Sequence, residues 1–146
     1  MIVISIISLV IFQSVGCADT SENKEEQLVV VERFYKAYNS KDYDVLNEIL
    51  ADTVKIHEMG NIVLESKEKF LDLVRWGEVF NSRNELDTIF RENEAWICKE
   101  IQTSSRIRFL YGRDVVAISR ILVVDNKITE IKTELPDLNE KDIEMA

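Results

Sequence analysis

Histidine occurs once in this chain, as His57, and cysteine twice, as Cys17 and Cys98. Neither cysteine belongs to a CxxC pair or a Cys/His cluster, so no zinc site is indicated, and their separate contexts argue against a structural disulfide. A metal site built on His57 and Glu58 lacks further ligands at a recognisable spacing. Glycine is scarce, with four residues, and the chain has no phosphate loop, dinucleotide motif or nucleophile elbow. The single proline, Pro136, ends the last predicted strand, and there is no internal repeat or low-complexity linker. Basic residues are outnumbered 18 to 27 and form no patch of nucleic-acid type, so a phosphate backbone is excluded as a partner. The apolar run at the start, Ile2 to Phe12, is shorter than the roughly 20 residues of a spanning helix.

What remains is an ordinary globular balance. The 146 residues are 46% hydrophobic and 31% charged, enough for one domain with a real core. The net charge of −9 belongs mostly to the ends: residues 19–27 carry four acids and one lysine, and residues 134–146 carry five acids and one lysine. The rest of the chain is close to neutral, so this acidity reads as a solvated coat rather than a binding face.

The opening "MIVISIISLVIFQSVGC" fits the apolar region of a secretory signal. Its "SVGC" resembles the end of a bacterial lipoprotein signal, which implies cleavage before Cys17 and lipidation of that residue. The resulting division is a signal peptide at 1–16, an acidic spacer at 17–24 after the lipidated cysteine, a domain at 25–136 and an acidic tail at 137–146. The implied address is the cell envelope, anchored to a membrane, and the outer one if the cell has two. The alternative is a secreted or periplasmic protein.

Within the domain, "NKEEQLVVVERFYKAYNS" predicts a helix with Asn23 as its cap. Leu28, Val31, Tyr35 and Tyr38 make one apolar stripe, and Val30, Phe34 and Ala37 a second beside it. So wide an arc predicts packing on more than one side. A shorter helix begins near Asp42 and buries Leu46, Ile49 and Leu50. "TVKIHE" is a strand, and "GNIVLE" a second after a turn at Gly60-Asn61. Ser66 caps a third helix with a core stripe of Phe70, Leu73, Val74 and Gly77. Beyond residue 83, β-branched and aromatic residues predict antiparallel strands. "ELDTIFRE" is a strand, "AWICKEIQTSSRIRFLYG" one long strand with its apolar face on Ile97, Ile101, Ile107 and Phe109, and "RDVVAISRILVV" another. Asp125-Asn126 makes a tight turn into "KITEIKTEL". Helices first and strands later predict an α+β fold with helices on one face of a curved sheet.

That order resembles the nuclear-transport-factor-2-like (NTF2-like) superfamily, which contains the SnoaL-like polyketide cyclases and the ketosteroid isomerases. The resemblance covers about residues 25–135. It is carried by "VVERFYKAYNSKDYDVLNEILADTVKIHE", a helix and a short helix followed by a strand ending in an acid, and by the closing hairpin "DNKITEI". It implies a cone: three N-terminal helices packed in a strongly curved, mostly antiparallel sheet, with a pocket between. Homodimers through the sheet are frequent in such families. Activities are diverse, so fold alone does not carry function.

Matched by motif, the carboxylate base of a ketosteroid isomerase falls on Glu58. Its tyrosine donor falls on Phe34, which has no hydroxyl, and its acidic donor on Ser119, a weaker one. Losing one such donor costs about a hundred- to thousand-fold in rate, so isomerase chemistry of that type is not expected. His57 and Glu58 are adjacent on a strand and point to opposite faces, which leaves His57 incidental and Glu58 the candidate base. The expected ligand-binding residues are Phe34, Glu58, Trp76 and Ser119. Trp76 and Phe80 stand four apart on a helix, and ordinary packing explains that spacing as well. Arg106, Arg108 and Arg120 read as outer-surface ion pairs more readily than as ligand contacts. The first reading is a lipid-anchored envelope domain that binds a small apolar or amphipathic molecule, without a cofactor or metal, with the balance leaning away from an enzyme. The alternatives are an isomerase, dehydratase or cyclase using Glu58 as base, and a dimerisation or protein-interaction module.

Overall fold

The computed structural model describes residues 20–138. The signal, Cys17 with the first residues of the spacer, and most of the acidic tail lie outside the described residues, while residues 20–24 of the expected spacer belong to the first helix. The elements run α1 (Thr20–Ser40), α2 (Tyr43–Ile49), β1 (Leu50–Glu58), β2 (Asn61–Leu64), α3 (Lys67–Val79), β3 (Arg83–Glu92), β4 (Ala95–Thr103), α4 (Ser105–Tyr111), β5 (Val115–Val124) and β6 (Lys127–Glu134). The strands form one sheet in the order β2-β1-β6-β5-β4-β3. Every neighbouring pair is antiparallel except β1 with β6, which is parallel. Register shifts interrupt the ladders at Ile56/His57, Leu86/Thr88 and Leu122/Val123. Bulges of this kind bend strands and increase twist, and the sheet curves around the helices.

The wide apolar arc of α1 is buried as its pattern predicts: Val30, Val31, Phe34, Tyr35 and Ala37 all lie in the core. The helix starts earlier than expected, so Asn23 lies inside it rather than capping it. Asp42 caps α2 by accepting from Val45 N, and Ser66 caps α3 by accepting from Lys69 N. The buried stripe of α3 is Phe70, Leu71, Val74 and Gly77, with Leu73 at its edge and 38% exposed. Leu50 opens β1 instead of closing α2. The first hairpin turns at Met59-Gly60, one residue before the expected position, with positive φ at both. Asp125 and Asn126 also both take positive φ, the conformation of a tight hairpin whose twist matches its strands.

The long strand expected over residues 95–112 is two elements. Ser104 breaks it: its hydroxyl accepts from Ile107 N and caps α4, and Gly112, at φ 69°, closes that helix in the left-handed region. Side-chain capping offers the backbone an alternative to the ladder, and serine followed by glycine eight residues on takes it. The inward face of β4 is also the reverse of the expected one. Trp96, Cys98 and Glu100 are buried, while Ile97 and Ile101 face outward. Pairing with β5 fixes this, since Cys98 stands opposite Ser119 and Glu100 opposite Ala117, both of which are buried.

Candidate functional site

Two adjoining hollows lie between the helices and the concave sheet. The inner chamber, about 130 Å³, has an apolar wall that includes Phe34, Phe70, Leu73 and Ile131. Phe34 is the hub of that wall, with ring centroids 5.4 Å from Tyr35, 6.1 Å from Tyr38 and 6.1 Å from Phe70. The opposite wall is polar and comes from the sheet: Glu100 and Gln102 of β4, Ser119 of β5 and Thr133 of β6. The outer chamber, about 330 Å³, is walled by α4 through Arg106, Ile107, Leu110 and Tyr111. Glu58, Gln102, Ile107 and Thr133 line both chambers and form the boundary between them.

Strand alternation puts the polar wall where it is. Once Trp96 and Cys98 face the helices, Glu100 and Gln102 follow on the same face. The end of α1 is tied to the start of β3, which supplies the rim. Asn39 Nδ2 donates to the Asn84 carbonyl at 2.8 Å and its Oδ1 accepts from Asn84 N at 2.8 Å, while Lys41 Nζ donates to the Ser82 carbonyl at 2.8 Å.

Glu100 is the centre of the polar wall. It is 1% exposed, and its Oε1 accepts from Gln102 Nε2 at 2.8 Å, Ser119 Oγ at 3.2 Å and Asn84 Nδ2 at 3.4 Å. Ser119 Oγ also meets Thr133 Oγ1 at 3.0 Å. Burial pushes the Glu100 carboxyl above its usual range, against the pull of the hydrogen bonds that favour its charged form. Burial likewise pushes the Tyr38 hydroxyl up to about 12, helped by the charges of Glu100 and Glu58. The same burial raises the Tyr35 hydroxyl still further. Cys98 is fully buried, and burial pushes its thiol up to about 12, which leaves it an unreactive core residue.

Of the sequence candidates, Phe34, Glu58 and Ser119 meet at the inner chamber. Trp76 does not line either chamber. It lies 48% exposed on α3, edge-on to Phe80 at 4.7 Å, with the Arg106 guanidinium 5.1 Å over its ring. The helical rotation explains this: residues 70, 74 and 77 share the core face, and about 100° per residue carries position 76 off it. His57 and Glu58 part as strand neighbours do. Glu58 lines the chambers, whereas His57 Nε2 stands 2.9 Å from Glu130 Oε1. Arg108 pairs with Asp114 at 2.7 Å and Arg120 with Glu92 at 2.7 Å, both on the surface. Arg106 and Arg108 lie on a helix, not on a strand. Among the described residues no cluster of three or more His, Cys, Asp or Glu side chains could hold a metal ion.

Glu100, Gln102 and Thr133 were not foreseen as site residues. The signal that could have found them is the pair of large buried residues before Glu100: a strand that turns Trp96 and Cys98 inward must turn Glu100 inward too.

No protein-family model and no curated protein matches the sequence significantly. Solved structures do match in shape. A candidate ketosteroid isomerase from Kribbella flavida superposes with a TM-score of 0.66 at 11% identity, over 80% of this chain and 82% of that one. An epoxide hydrolase of LEH-like type from M. tuberculosis gives 0.64 at 16% identity, over 76% and 83%. An NTF2-like protein of unknown function from Cytophaga hutchinsonii gives 0.62 at 13% identity, over 75% and 88%. At these identities the shared property is the fold. The chain has an NTF2-like α+β fold, with helices packed against a curved, mostly antiparallel sheet.

Proposed function

We propose that this protein binds a small, neutral, amphipathic molecule in its inner chamber. One observation carries the reading: a hollow with phenyl and alkyl groups on one wall faces a hydrogen-bonded row of buried polar groups on the other. A wall of core packing alone would be apolar, because each buried polar group costs free energy unless it is paired. Ligand sites combine an apolar lining with a few fixed polar groups in this way. Titration of ¹⁵N-labelled protein with 1-tetralone and cyclohexanol tests it. Amide shifts should cluster around Phe34, Ser119 and Thr133 and vanish in Ile107→Trp, which fills the boundary between the chambers. Shifts confined to the outer sheet face, or none, defeat the reading.

A catalytic reading rests on Glu58, which stands at the boundary of the chambers where a base could meet a ligand. Glu58 is exposed, so water reaches the same carboxylate. Turnover of ketone or hydroxyl substrates unchanged by Glu58→Gln removes Glu58 from that role.

Two further proposals concern partners. The outer sheet face carries Phe90, Ile101 and Ile118, each more than a third exposed, and this patch supports a homodimer formed through the sheet. Ile118→Asp should yield monomer in sedimentation if the face is used. The "SVGC" sequence supports a lipid anchor at Cys17 and an envelope location. Membrane fractionation that persists unaltered in Cys17→Ser refutes that anchor.

A further inference from the structure

Helix α4 is thinly covered for an element of a folded domain. None of its seven residues is fully buried, and Phe109 is 87% exposed. Ile107, Leu110 and Tyr111 are half-buried over the outer chamber. Arg106 joins them on the chamber wall and holds its guanidinium 5.1 Å over the ring of Trp76. A single exposed phenylalanine needs no explanation. An apolar and cationic face with no residue buried, at the opening of a chamber, has room for a partner.

The charge of this face runs against that of the chain. Residues 105–113, "SRIRFLYGR", hold three arginines and no acid in a chain of net charge −9. Arg108 pairs with Asp114. Arg113 reaches the start of the acidic tail: its Nη2 donates to the Asp137 carbonyl at 2.8 Å, and its Nη1 stands 3.7 Å from Asp137 Oδ2. The tail therefore leaves the domain beside α4. Leu138 is 8% exposed, and its N–H donates to the Leu135 carbonyl at 3.0 Å. Leu135 lines the outer chamber together with Arg106.

Beyond Leu138 follow residues 139–146, "NEKDIEMA". Eight residues span up to roughly 26–29 Å, and a seven-residue helix only about 10 Å, so this segment is long enough to cross α4. Its composition complements the face. Glu140, Asp142 and Glu144 alternate with Lys141, Ile143 and Met145. Alternation of that kind gives an extended segment one acidic edge and one mostly apolar edge. Glu58 on the chamber wall opposes an acid inside the hollow, so the acidic edge belongs at Arg106, on the rim.

We propose that residues 139–146 fold back across α4 and cover the mouth of the outer chamber, with their acids at Arg106 and with Ile143 and Met145 against Phe109 and Leu110. The acidic tail is then a strap over the way into the chambers rather than a solvated coat. Exposed ion pairs are individually weak, but the tether at Asp137 makes this contact intramolecular. The strap therefore opens and closes instead of sealing the chamber. Its effect on ligand entry rests on the binding reading above; its docking on α4 does not.

The test compares amide spectra of four full-chain proteins. They are wild type, a neutral tail (Glu140→Gln, Asp142→Asn and Glu144→Gln together), Arg106→Glu, and Arg106→Glu with a basic tail (Glu140→Lys, Asp142→Lys and Glu144→Lys together). The neutral tail should shift the amides of Ile107, Phe109 and Leu110, which are distant in sequence from every position it changes. Sodium chloride at about 0.5 M should shift the same amides in wild type and not in the neutral tail. Amide exchange at Leu110 should quicken in the neutral tail and in Arg106→Glu, and slow again when the basic tail is added. The affinity for 1-tetralone should rise about two- to five-fold in the neutral tail, the factor that a strap closed half to four-fifths of the time withholds. Amides of α4 that ignore the charge of the tail overturn the proposal. So do amides that move with protein concentration instead, since a second copy then covers the face. Amides that respond while the affinity for 1-tetralone stays the same overturn the covering of the mouth. If 1-tetralone does not bind at all, the cavity reading falls, and the amide shifts and exchange rates decide the strap by themselves. A shared circular-dichroism spectrum certifies the fold in all four.

Discussion

Two substitutions at Glu100 separate its shape from its charge. Leucine removes the acceptor and strands the three donors that converge on Oε1. An unpaired buried donor costs about 1–3 kcal/mol. Ser119 is buried but keeps Thr133 Oγ1 at 3.0 Å, so its share falls at the low end. Gln102 and Asn84 are half-buried, and the Asn84 bond is long at 3.4 Å, so theirs are smaller again. The total for Glu100→Leu is about 2–4 kcal/mol, a large part of the roughly 5–15 kcal/mol that holds a domain together. Glutamine keeps the acceptor, and Glu100→Gln should cost under about 1 kcal/mol at pH 5. The pH dependence has a definite sign. The folded-state pKa of Glu100 is raised above its ordinary 4.5, so above that pH the folded state holds more protons than the unfolded one. The stability that the neutral acid confers is therefore full below pH 4.5 and is lost as pH rises through the folded value. Glutamine has no proton to lose. Urea denaturation of all three proteins at pH 5 and pH 8 should show Glu100→Gln gaining on wild type at the higher pH. If Glu100→Gln instead loses ground on wild type between pH 5 and pH 8, Glu100 is ionised in the fold and the reasoning fails.

Three other changes test the frame around the chambers. Ser104→Ala removes the cap of α4 and should destabilise by about 1 kcal/mol, with faster amide exchange at Ile107 before any change in β4. Gly112→Ala forces a side chain into the left-handed region at φ 69° and should cost about 1 kcal/mol in urea midpoint analysis; an unchanged midpoint removes the claim that glycine is required there. Asn39→Ala breaks the reciprocal pair with Asn84 and should cost about 1–2 kcal/mol, loosening the start of β3 as seen by amide exchange at Asn84.

Much of the fold was legible because local and global signals agree over most of the chain. The two apolar stripes of α1, the caps at Asp42 and Ser66 and the Asp125-Asn126 turn each rest on a residue whose local chemistry permits few alternatives. The failures cluster in β4 and α4, where the signals conflict. Both faces of β4 carry large apolar groups, with Trp96 and Cys98 on one and Ile97 and Ile101 on the other. Alternation alone cannot choose between two such faces. The choice is made by pairing with β5, a long-range contact invisible in a window of ten residues.

The same ambiguity hid Glu100. With Ile97 and Ile101 turned inward, an acid at position 100 would be an unremarkable solvated side chain; with Trp96 and Cys98 inward, it is a carboxyl in the core. A core position that carries an acid breaks the binary pattern, and a break that persists at 1% exposure must be stabilised by something. Here Gln102, Ser119 and Asn84 supply that stabilisation through hydrogen bonds to Oε1, and the Tyr35 hydroxyl lies beside the same carboxyl. This departure from the pattern lies on the wall of the inner chamber, and departures of that kind are expected where a chain carries a site rather than only a core.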